Sequence, residues 1–209
     1  MNTTTPGWQD RFFARCWSHL AGGIDATFRP HKDETLVALP DRIIEIGPGL
    51  GSNFRRYPAG ASVLAFEPNR AMHDGLRRAA VDAGIQLEIR SDDLREAGLA
   101  DGSVAAVVST LVLCSVGDQI AMVREIHRIL EPGGRFLFIE HVASEQPVVR
   151  GLQRAIRWPW GLVGDGCDPA PDTVDAIEAA GFAEVRATRD TLGSKLNPAH
   201  PIYWGVAIR

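Results

Sequence analysis

The chain has 209 residues, 45% of them hydrophobic, and a formal net charge of −4 at pH 7. This length is sufficient for one domain with a full hydrophobic core, residues 1–209. The mild charge, without long runs of one sign, excludes a strongly basic nucleic-acid-binding domain. The first residues show no basic region followed by an apolar core, so we expect no signal peptide, and the least polar window, residues 102–117, is too short for a membrane span. We therefore expect a cytoplasmic protein that binds no nucleic acid.

An apolar helix is predicted at the N-terminus, within residues 1–30. Apolar residues recur there at three- and four-residue spacing, which is typical of one helical face: Trp8, Phe12, Phe13, Cys16, Trp17 and Leu20. Gly22 and Gly23 follow, and we expect them to end the helix. The apolar face either packs against the domain or covers an acceptor pocket as a lid.

Residues 42–54, RIIEIGPGLGSNF, form the most informative stretch of the chain. A β-branched run typical of a buried parallel strand ends in three alternate glycines, Gly47, Gly49 and Gly51. These glycines indicate a tight turn that a ligand approaches closely. A second apolar run, residues 63–66, is closed by Glu67, where dinucleotide-binding folds place a carboxylate for the ribose hydroxyls.

The glycine turn differs from the dinucleotide-binding pattern in two respects. Ser52 stands at the sixth position, where a glycine normally lets helix and strand pack closely. Glu45, two residues before the first glycine, repels a phosphate and attracts an amine. The turn therefore favours a nucleoside that carries an amino acid, and an NAD-dependent oxidoreductase is the less favoured alternative.

Strands and helices alternate through the first two thirds of the chain. The predicted strands are residues 43–46, 63–66, 85–89, 104–113 and 135–140, with helices at 53–57, 69–83 and 119–130. This alternation predicts an α/β fold with a parallel sheet and helices on both faces. Residues 147–171 show no clean periodicity. A short helix at 172–180 and two strands at 183–189 and 202–208, a closing hairpin, are predicted after them.

Four motifs in order resemble class I S-adenosylmethionine-dependent methyltransferases: EIGPGLG, AFEPN, ADGSVAAVVSTLVLCSV and ILEPGGRFLFIEHV. The resemblance covers most of residues 41–140. EHVAS, GDGCDPAPDTVDAIEAAGF and HPIYWGVAI further resemble the methyltransferase-like group that includes animal membrane-associated thiol methyltransferases and bacterial relatives. The animal proteins carry an N-terminal membrane anchor, and we expect none here.

The resemblance implies a Rossmann-like, seven-stranded, mostly parallel sheet with an antiparallel last strand. Residues 41–140 would form the cofactor-binding core, residues 141–181 the acceptor pocket and residues 182–209 the closing hairpin. The cofactor would be S-adenosylmethionine, with S-adenosylhomocysteine as product, and the partner a small-molecule acceptor.

The resemblance also implies which residues bind the cofactor. A carboxylate would lie near the ammonium group, a second would take both ribose hydroxyls, one of two aspartates would receive the adenine amino group, and the end of the fourth strand would lie beside the methyl group. In chain order these residues are Glu45, Gly47, Gly49, Gly51, Glu67, Pro68, Asp92, Asp93, Leu94, Thr110 and Leu111.

The acceptor end is expected after the fifth strand. His141 lies at the carboxyl end of that strand and is the best candidate for a catalytic base, although it could instead order the following loop. Aromatic residues nearby indicate an apolar small molecule. The expected acceptor-binding residues are Trp17, Arg157, Trp158, Trp160, Cys167, His200 and Tyr203.

The three cysteines, Cys16, Cys114 and Cys167, are widely spaced and form no CxxC pair. We expect reduced thiols, no zinc ligand set and no metal site. Direct methyl transfer needs no covalent enzyme intermediate, so Cys114 and Cys167 are interpreted as small buried residues.

The favoured function is S-adenosylmethionine-dependent methylation of a small, largely apolar acceptor, with a thiol as the first choice because of the subgroup resemblance. The alternatives are an O- or N-methyltransferase of secondary metabolism or of quinone or lipid synthesis, and a protein that binds the cofactor or its demethylated product without catalysis.

Overall fold

The computed structural model describes residues 6–191 and 201–209. The helices are α1 (Trp8–Thr35), α2 (His73–Ala83), α3 (Gln119–Ile129), α4 (Pro147–Ala155), α5 (Arg157–Val163) and α6 (Thr173–Glu178). The strands are β1 (Arg42–Ile46), β2 (Ser62–Phe66), β3 (Gln86–Arg90), β4 (Val104–Thr110), β5 (Leu130–His141), β6 (Glu184–Asp190) and β7 (Ile202–Ile208).

The seven strands form one sheet in the order β3-β2-β1-β4-β5-β7-β6. Strands β1 to β5 pair in parallel, and β7 is antiparallel to both β5 and β6. The predicted Rossmann-like sheet with an antiparallel last strand is therefore confirmed. Because Ile46 pairs with Phe66 and with Ser109, the carboxyl ends of β1, β2 and β4 meet at one edge of the sheet.

Alternation along each central strand gives the sheet a separate core on each face. In β1, Ile44 contributes to one buried cluster and Ile43 to the other. Helix α3 packs on the first face through Val123 and Ile126, and α2 packs on the second through Leu76. Each fully buried aliphatic side chain contributes about 1.5–3 kcal/mol to stability, so these two layers hold the sheet edge rigid.

The prediction that α1 ends at Gly22 and Gly23 is wrong, because the helix continues to Thr35 and even includes Pro30. An interior glycine costs a helix about 1 kcal/mol relative to alanine. The second half of α1 is anchored by tertiary contacts, with Phe28 in a buried cluster beside Ile139 and Ile202. These contacts outweigh the local preference.

Two further regions differ from the sequence-based expectation. Strand β4 stops at Thr110, because Leu111 has a positive φ of 59° and a short 3-10 helix, Leu113–Ser115, follows. Residues 147–163, for which no periodicity was recognised, form α4 and α5. Both differences concern the acceptor end of the sheet edge.

Helices that could cross a membrane, long and apolar throughout, do not occur within residues 6–191 or 201–209.

Candidate active site

A cavity of about 900 Å³ opens at the carboxyl edge of the sheet. It extends from the glycine turn after β1 and the end of β2 to the end of β5 and the turn after α5, with α1 along one side. Most of the predicted site residues line it: Glu45, Gly47, Gly49, Glu67, Pro68, Asp92, Asp93, Leu94, Thr110, Leu111, His141, Trp17, Trp160 and Cys167.

The glycine turn depends on the absence of side chains. Gly47 has a φ of 55°, and a Cβ built on it would lie 2.6 Å from a methyl carbon of Val112. Gly51 has a φ of 78°, and its Cβ would lie 2.9 Å from the Cβ of Ala79 and from the ring of Phe54. Gly51 is therefore needed for packing against the protein and is not among the residues that line the cavity.

Glu67, at the end of β2, is a buried carboxylate held by the backbone. One oxygen accepts a hydrogen bond from the N–H of Gly49 and the other from the N–H of Asn69, each at 2.9 Å. Burial raises the pKa of Glu67, and these two hydrogen bonds partly offset the increase. Each carboxylate oxygen keeps a second lone pair, so the group can still accept two hydrogen bonds from a ligand in the cavity.

Glu45, within β1, is a second buried carboxylate. Its oxygens accept hydrogen bonds from the side-chain amide of Asn53 at 2.8 Å and from the hydroxyl of Tyr57 at 2.6 Å. Burial raises the pKa of Glu45 to about 7, against the lowering effect of these two donors. The Oδ1 atom of Asn53 is buried without a hydrogen-bond partner, and Asn53 is among the residues that line the cavity.

Sequence reasoning missed a cation beside these carboxylates. Lys32, near the end of α1, is buried and lines the cavity. Its Nζ donates to Oδ1 of Asp25 at 3.0 Å and to Oγ of Ser52 at 2.8 Å. No local motif could have revealed it, because Lys32 reaches the glycine turn only through the unexpected extension of α1.

Asp92 and Asp93 both line the cavity after β3, and each is paired with an arginine. Asp92 accepts hydrogen bonds from the guanidinium of Arg90, which lowers the pKa of Asp92. Asp93 accepts hydrogen bonds from the backbone N–H and from the guanidinium of Arg95. Asp93 thereby caps the following 3-10 helix, and the hydrogen bonds from Arg95 lower the pKa of Asp93. Both carboxylates therefore face the cavity from an arginine pair, and Asp93 has the additional role of a helix cap.

Glu140 fixes the turn that follows β4. This buried carboxylate accepts hydrogen bonds from the hydroxyl of Ser109 and, at 3.0 Å each, from the N–H groups of Val112 and Leu113. Burial raises the pKa of Glu140 to about 8. The sequence contained no clear signal for this role, yet Glu140 holds the short helix that carries Cys114.

Cys114, His141 and Cys167 converge at the acceptor end. The two sulfur atoms lie 3.2 Å apart, and one ligand atom from each of the three residues falls within 4.8 Å of the others. The pKa of the Cys167 thiol is lowered to about 5, chiefly by its contact with Cys114 and to a smaller extent by His141 and Trp160. The same contact raises the pKa of Cys114. Three separate elements supply these groups, so the described residues include one cluster of potential metal ligands that the spacing of the cysteines did not indicate.

Helix α5 divides the predicted tryptophans. Trp160 lines the cavity beside Cys167, whereas the Trp158 side chain is 77% exposed and lies outside it. Arg157 is also exposed and forms an ion pair of 2.9 Å with Asp168. Only one of these three expected acceptor residues is therefore brought to the cavity.

A further expected acceptor residue, Tyr203, is not brought to the cavity. Tyr203 belongs to the hydrophobic core, where its ring packs 5.4 Å from that of Phe138. His200 lies outside the described residues.

The first half of α1 lies over the cavity. Trp17 stacks on Phe13 with ring centroids 5.7 Å apart, and its Nε1 atom would be 3.3 Å from a Cβ on Gly49. Trp8 at the helix start is 70% exposed. The apolar face of this helix could either pack against the domain or cover a pocket. The apolar residues around Trp17 line the cavity and belong to neither core of the sheet.

The sheet order, the antiparallel β7, and the glycine turn facing a carboxylate at the next strand end together define a Rossmann-like methyltransferase. Comparison with known proteins agrees. Residues 44–138 match the model of a methyltransferase domain. A solved S-adenosylmethionine-dependent methyltransferase from Thermotoga maritima has a similar fold, with a TM-score of 0.62, 18% sequence identity, and 97% of this chain and 98% of that chain covered.

Curated relatives narrow the class. The chain is 34% identical to thiol S-methyltransferase TMT1A of Homo sapiens, over 80% of this chain and 70% of that protein. It is 35% identical to thiol S-methyltransferase TMT1B of Rattus norvegicus, over 94% of this chain and 82% of that protein. The chain therefore belongs to the thiol S-methyltransferase family of S-adenosylmethionine-dependent methyltransferases.

Proposed function

We propose that this protein transfers the methyl group of S-adenosylmethionine to the sulfur of a small, largely apolar thiol. The observation that carries the proposal is the single cavity that joins Glu67, at the glycine turn, to Trp160 and Cys167 at the other end. A cofactor and an acceptor can lie end to end in such a space. The activity of the relatives, which are thiol S-methyltransferases, supports the choice of acceptor over the O- and N-methylation alternatives.

The cofactor end fits S-adenosylmethionine group by group. Glu67 would accept hydrogen bonds from both ribose hydroxyls, since its two oxygens are already oriented by backbone donors. The unpaired Oδ1 atom of Asn53 and the carboxylate of Glu45 would receive the ammonium group. Lys32 would balance the negative charge on the carboxylate of the cofactor's methionine part. The sequence motifs alone offered no cation for that carboxylate.

The adenine would lie between the end of β2 and the turn after β3. Pro68 and Leu94 provide apolar surface on the cavity wall there. Either Asp92 or Asp93 would accept a hydrogen bond from the adenine amino group, because each lines the cavity and keeps acceptor capacity beyond its arginine.

At the acceptor end, the protein would align the nucleophile and exclude water. The bound cofactor supplies a methyl group on a positively charged sulfur. A nucleophile attacks the methyl carbon in line with the carbon–sulfur bond, and the sulfur is the leaving group. Thr110 and Leu111 would border the methyl group, and Trp17 and Trp160 would pack against the apolar part of the acceptor. Helix α1 lies over this space and would keep water from the reacting atoms.

A thiol acceptor matches the groups that are available. Its ordinary pKa of about 8.5 makes it partly thiolate at neutral pH, so it needs less help from a base than a phenol does. His141 would lie next to the acceptor sulfur, where it can take up the thiol proton.

The test is methyl transfer from labelled S-adenosylmethionine to one aromatic thiol, one phenol and one amine of the same carbon skeleton. We expect selective labelling of the thiol. The phenol and amine are matched controls, because they present the same apolar surface to Trp17 and Trp160. Preferential labelling of the phenol or the amine would contradict the proposal while leaving the cofactor and the fold unchanged.

A further inference from the structure

The acceptor end contains three soft ligands that cofactor binding does not require. Cys114 belongs to the short helix after β4, His141 ends β5, and Cys167 lies in the turn after α5. All three line the cavity, and their ligand atoms lie within 4.8 Å of one another. Thiolate and imidazole are the groups that bind Zn²⁺ most often in proteins.

The backbone around the two cysteines is held in place. The N–H of Asp168 donates to the carbonyl oxygen of Cys114 at 2.8 Å, which ties the turn after α5 to the short helix. Glu140 holds the start of the same helix, because its carboxylate accepts hydrogen bonds from the N–H groups of Val112 and Leu113. Hydrogen bonds from neighbouring residues therefore hold the segments that carry the two cysteines, as second-shell interactions do in metal sites.

We propose that Cys114, His141 and Cys167 bind one Zn²⁺ ion, and that its fourth coordination position, open to the cavity, binds the acceptor as a thiolate. The proposal rests on the proposed function for the identity of the fourth ligand. Three protein ligands with one open position are typical of catalytic zinc sites, whereas structural sites have four protein ligands.

The distances are close to those of such a site. Two thiolates bound to tetrahedral zinc at about 2.3 Å are about 3.8 Å apart. The sulfur atoms of Cys114 and Cys167 are 3.2 Å apart, so they must separate by about 0.6 Å to admit the ion. A ring nitrogen of His141 lies within 4.8 Å of both sulfur atoms, compared with about 3.5 Å between a nitrogen and a sulfur bound to one tetrahedral zinc ion.

The chemistry balances without any oxidant or reductant. Because His141 would be a zinc ligand in this arrangement, it would not act as the base, and the acceptor thiol would release its proton to solvent when its sulfur binds the ion. An electron pair of that thiolate then forms the new bond to the methyl carbon, and the pair of the broken carbon–sulfur bond stays on the cofactor sulfur. The products are a neutral thioether, a poorer zinc ligand than a thiolate, and S-adenosylhomocysteine. Such a site would select soft thiols over phenols and amines.

Metal binding is measured on the full chain, reduced, freed of metal with a chelator, and without methyl donor. We expect one equivalent of Zn²⁺ per chain, and a thiolate-to-metal charge-transfer band when Co²⁺ is added instead. Stoichiometric binding should be lost in Cys114→Ser, Cys167→Ser and His141→Ala. Cys16→Ser is the matched control and should bind one equivalent, because Cys16 is on α1 and outside the ligand set. Calorimetric binding of S-adenosylmethionine to each variant verifies that it is folded.

The fourth ligand is tested by adding a small apolar thiol to the Co²⁺ protein. We expect the charge-transfer band to increase as another thiolate binds, and the phenol of the same skeleton to have no effect. Chelation should lower kcat/KM for the thiol about 100-fold, and added Zn²⁺ should restore it.

Three results would overturn the proposal. They are a reduced, folded protein that binds no Zn²⁺, a Co²⁺ spectrum that the thiol leaves unchanged, and a Cys114–Cys167 disulfide that persists under reducing conditions. Undiminished thiol methylation by the chelated protein would also overturn it, while the proposed function would stand. Conversely, one bound Zn²⁺ and a thiol-dependent spectrum without methyl transfer to any thiol would support the metal site and contradict the proposed function.

Discussion

The cofactor end of the cavity is formed mainly by neighbouring strand ends within residues 42–111, to which α1 adds Lys32. The acceptor end combines residues from the first half of α1, from β5 and α5, and from the turns around them. At the cofactor end, the carboxylate of Glu67 is held by the backbone of the adjacent turn. At the acceptor end, Cys114 and Cys167 meet although they are distant in the chain. The first arrangement can be recognised from a motif, but the second depends on how the segment after β5 packs.

The largest expected effect tests the dependence of the cofactor end on one carboxylate. In Glu67→Gln the side chain keeps its size but loses its charge and one acceptor. Because a hydrogen bond to a charged group contributes about 1.5–3 kcal/mol, we expect the Kd for S-adenosylmethionine to rise about 100-fold. Isothermal titration calorimetry measures this change.

Glu88→Gln, on the exposed side of β3, is the matched control for Glu67→Gln and should bind the cofactor like the unaltered protein. If Glu67→Gln retained the original Kd, Glu67 could not be the ribose ligand. The cofactor end would then not depend on the carboxylate at the end of β2.

A second effect separates two tryptophans of one helix. Trp160→Ala removes an aromatic side chain that lines the cavity, so we expect the KM for an apolar thiol to rise about 30-fold, corresponding to about 2 kcal/mol. Trp158→Ala should leave KM unchanged, because Trp158 is exposed outside the cavity. Steady-state kinetics with a fixed, saturating concentration of cofactor tests both.

Trp160→Phe refines this test. It keeps most of the apolar surface but removes the N–H that interacts with Cys167. A small change in KM would assign the effect of Trp160→Ala to lost packing. Equal losses in Trp160→Ala and Trp158→Ala would instead show that α5 acts through its position in the fold, contrary to the proposed acceptor contact.

The smallest expected effect is a pH dependence of cofactor binding. Burial raises the pKa of Glu45 to about 7, so the group is largely protonated at pH 6 in the absence of cofactor. The ammonium group of the cofactor favours the carboxylate, and binding therefore releases a proton below pH 7. We expect the Kd to fall about tenfold from pH 5.5 to pH 7, a range in which the amino group of the cofactor stays protonated, measured by calorimetry in two buffers that differ in ionisation enthalpy.

Glu45→Gln should bind with a Kd that does not vary over this range. Burial also raises the pKa of Glu67, which would act in the same direction, so a dependence that persists in Glu45→Gln would be assigned to Glu67. Binding that weakened as pH rose would contradict both assignments.

The same shift has a consequence for stability without cofactor. The folded protein keeps a proton on Glu45 up to its raised pKa of about 7, whereas the ordinary pKa of a glutamate is 4.5. Between these values the folded state binds more protons than the unfolded chain does. This carboxyl group therefore lowers the free energy of unfolding as pH rises through that window.

Much of the cofactor end could be predicted from the sequence, because its information is local. Alternating β-branched runs identify buried strands, and Gly47 and Glu67 follow directly at strand ends that parallel pairing brings to one edge. Lys32 and Asn53 were not predicted, because no pattern distinguishes a buried lysine or amide that contacts a distant turn.

The sequence by itself determined the alternation of strands and helices, the glycine turn and a ligand of the nucleoside type, since hydrophobic periodicity and glycine conformation act over a few residues. The resemblance of its motifs to a known family added the seven-stranded sheet and S-adenosylmethionine. Only the tertiary structure decided that α1 extends past its glycines over the cavity, that Trp160 and not Trp158 faces it, and that Cys114, His141 and Cys167 meet. These features depend on long-range packing and on buried hydrogen bonds such as those of Glu140, which leave no periodic trace in the chain.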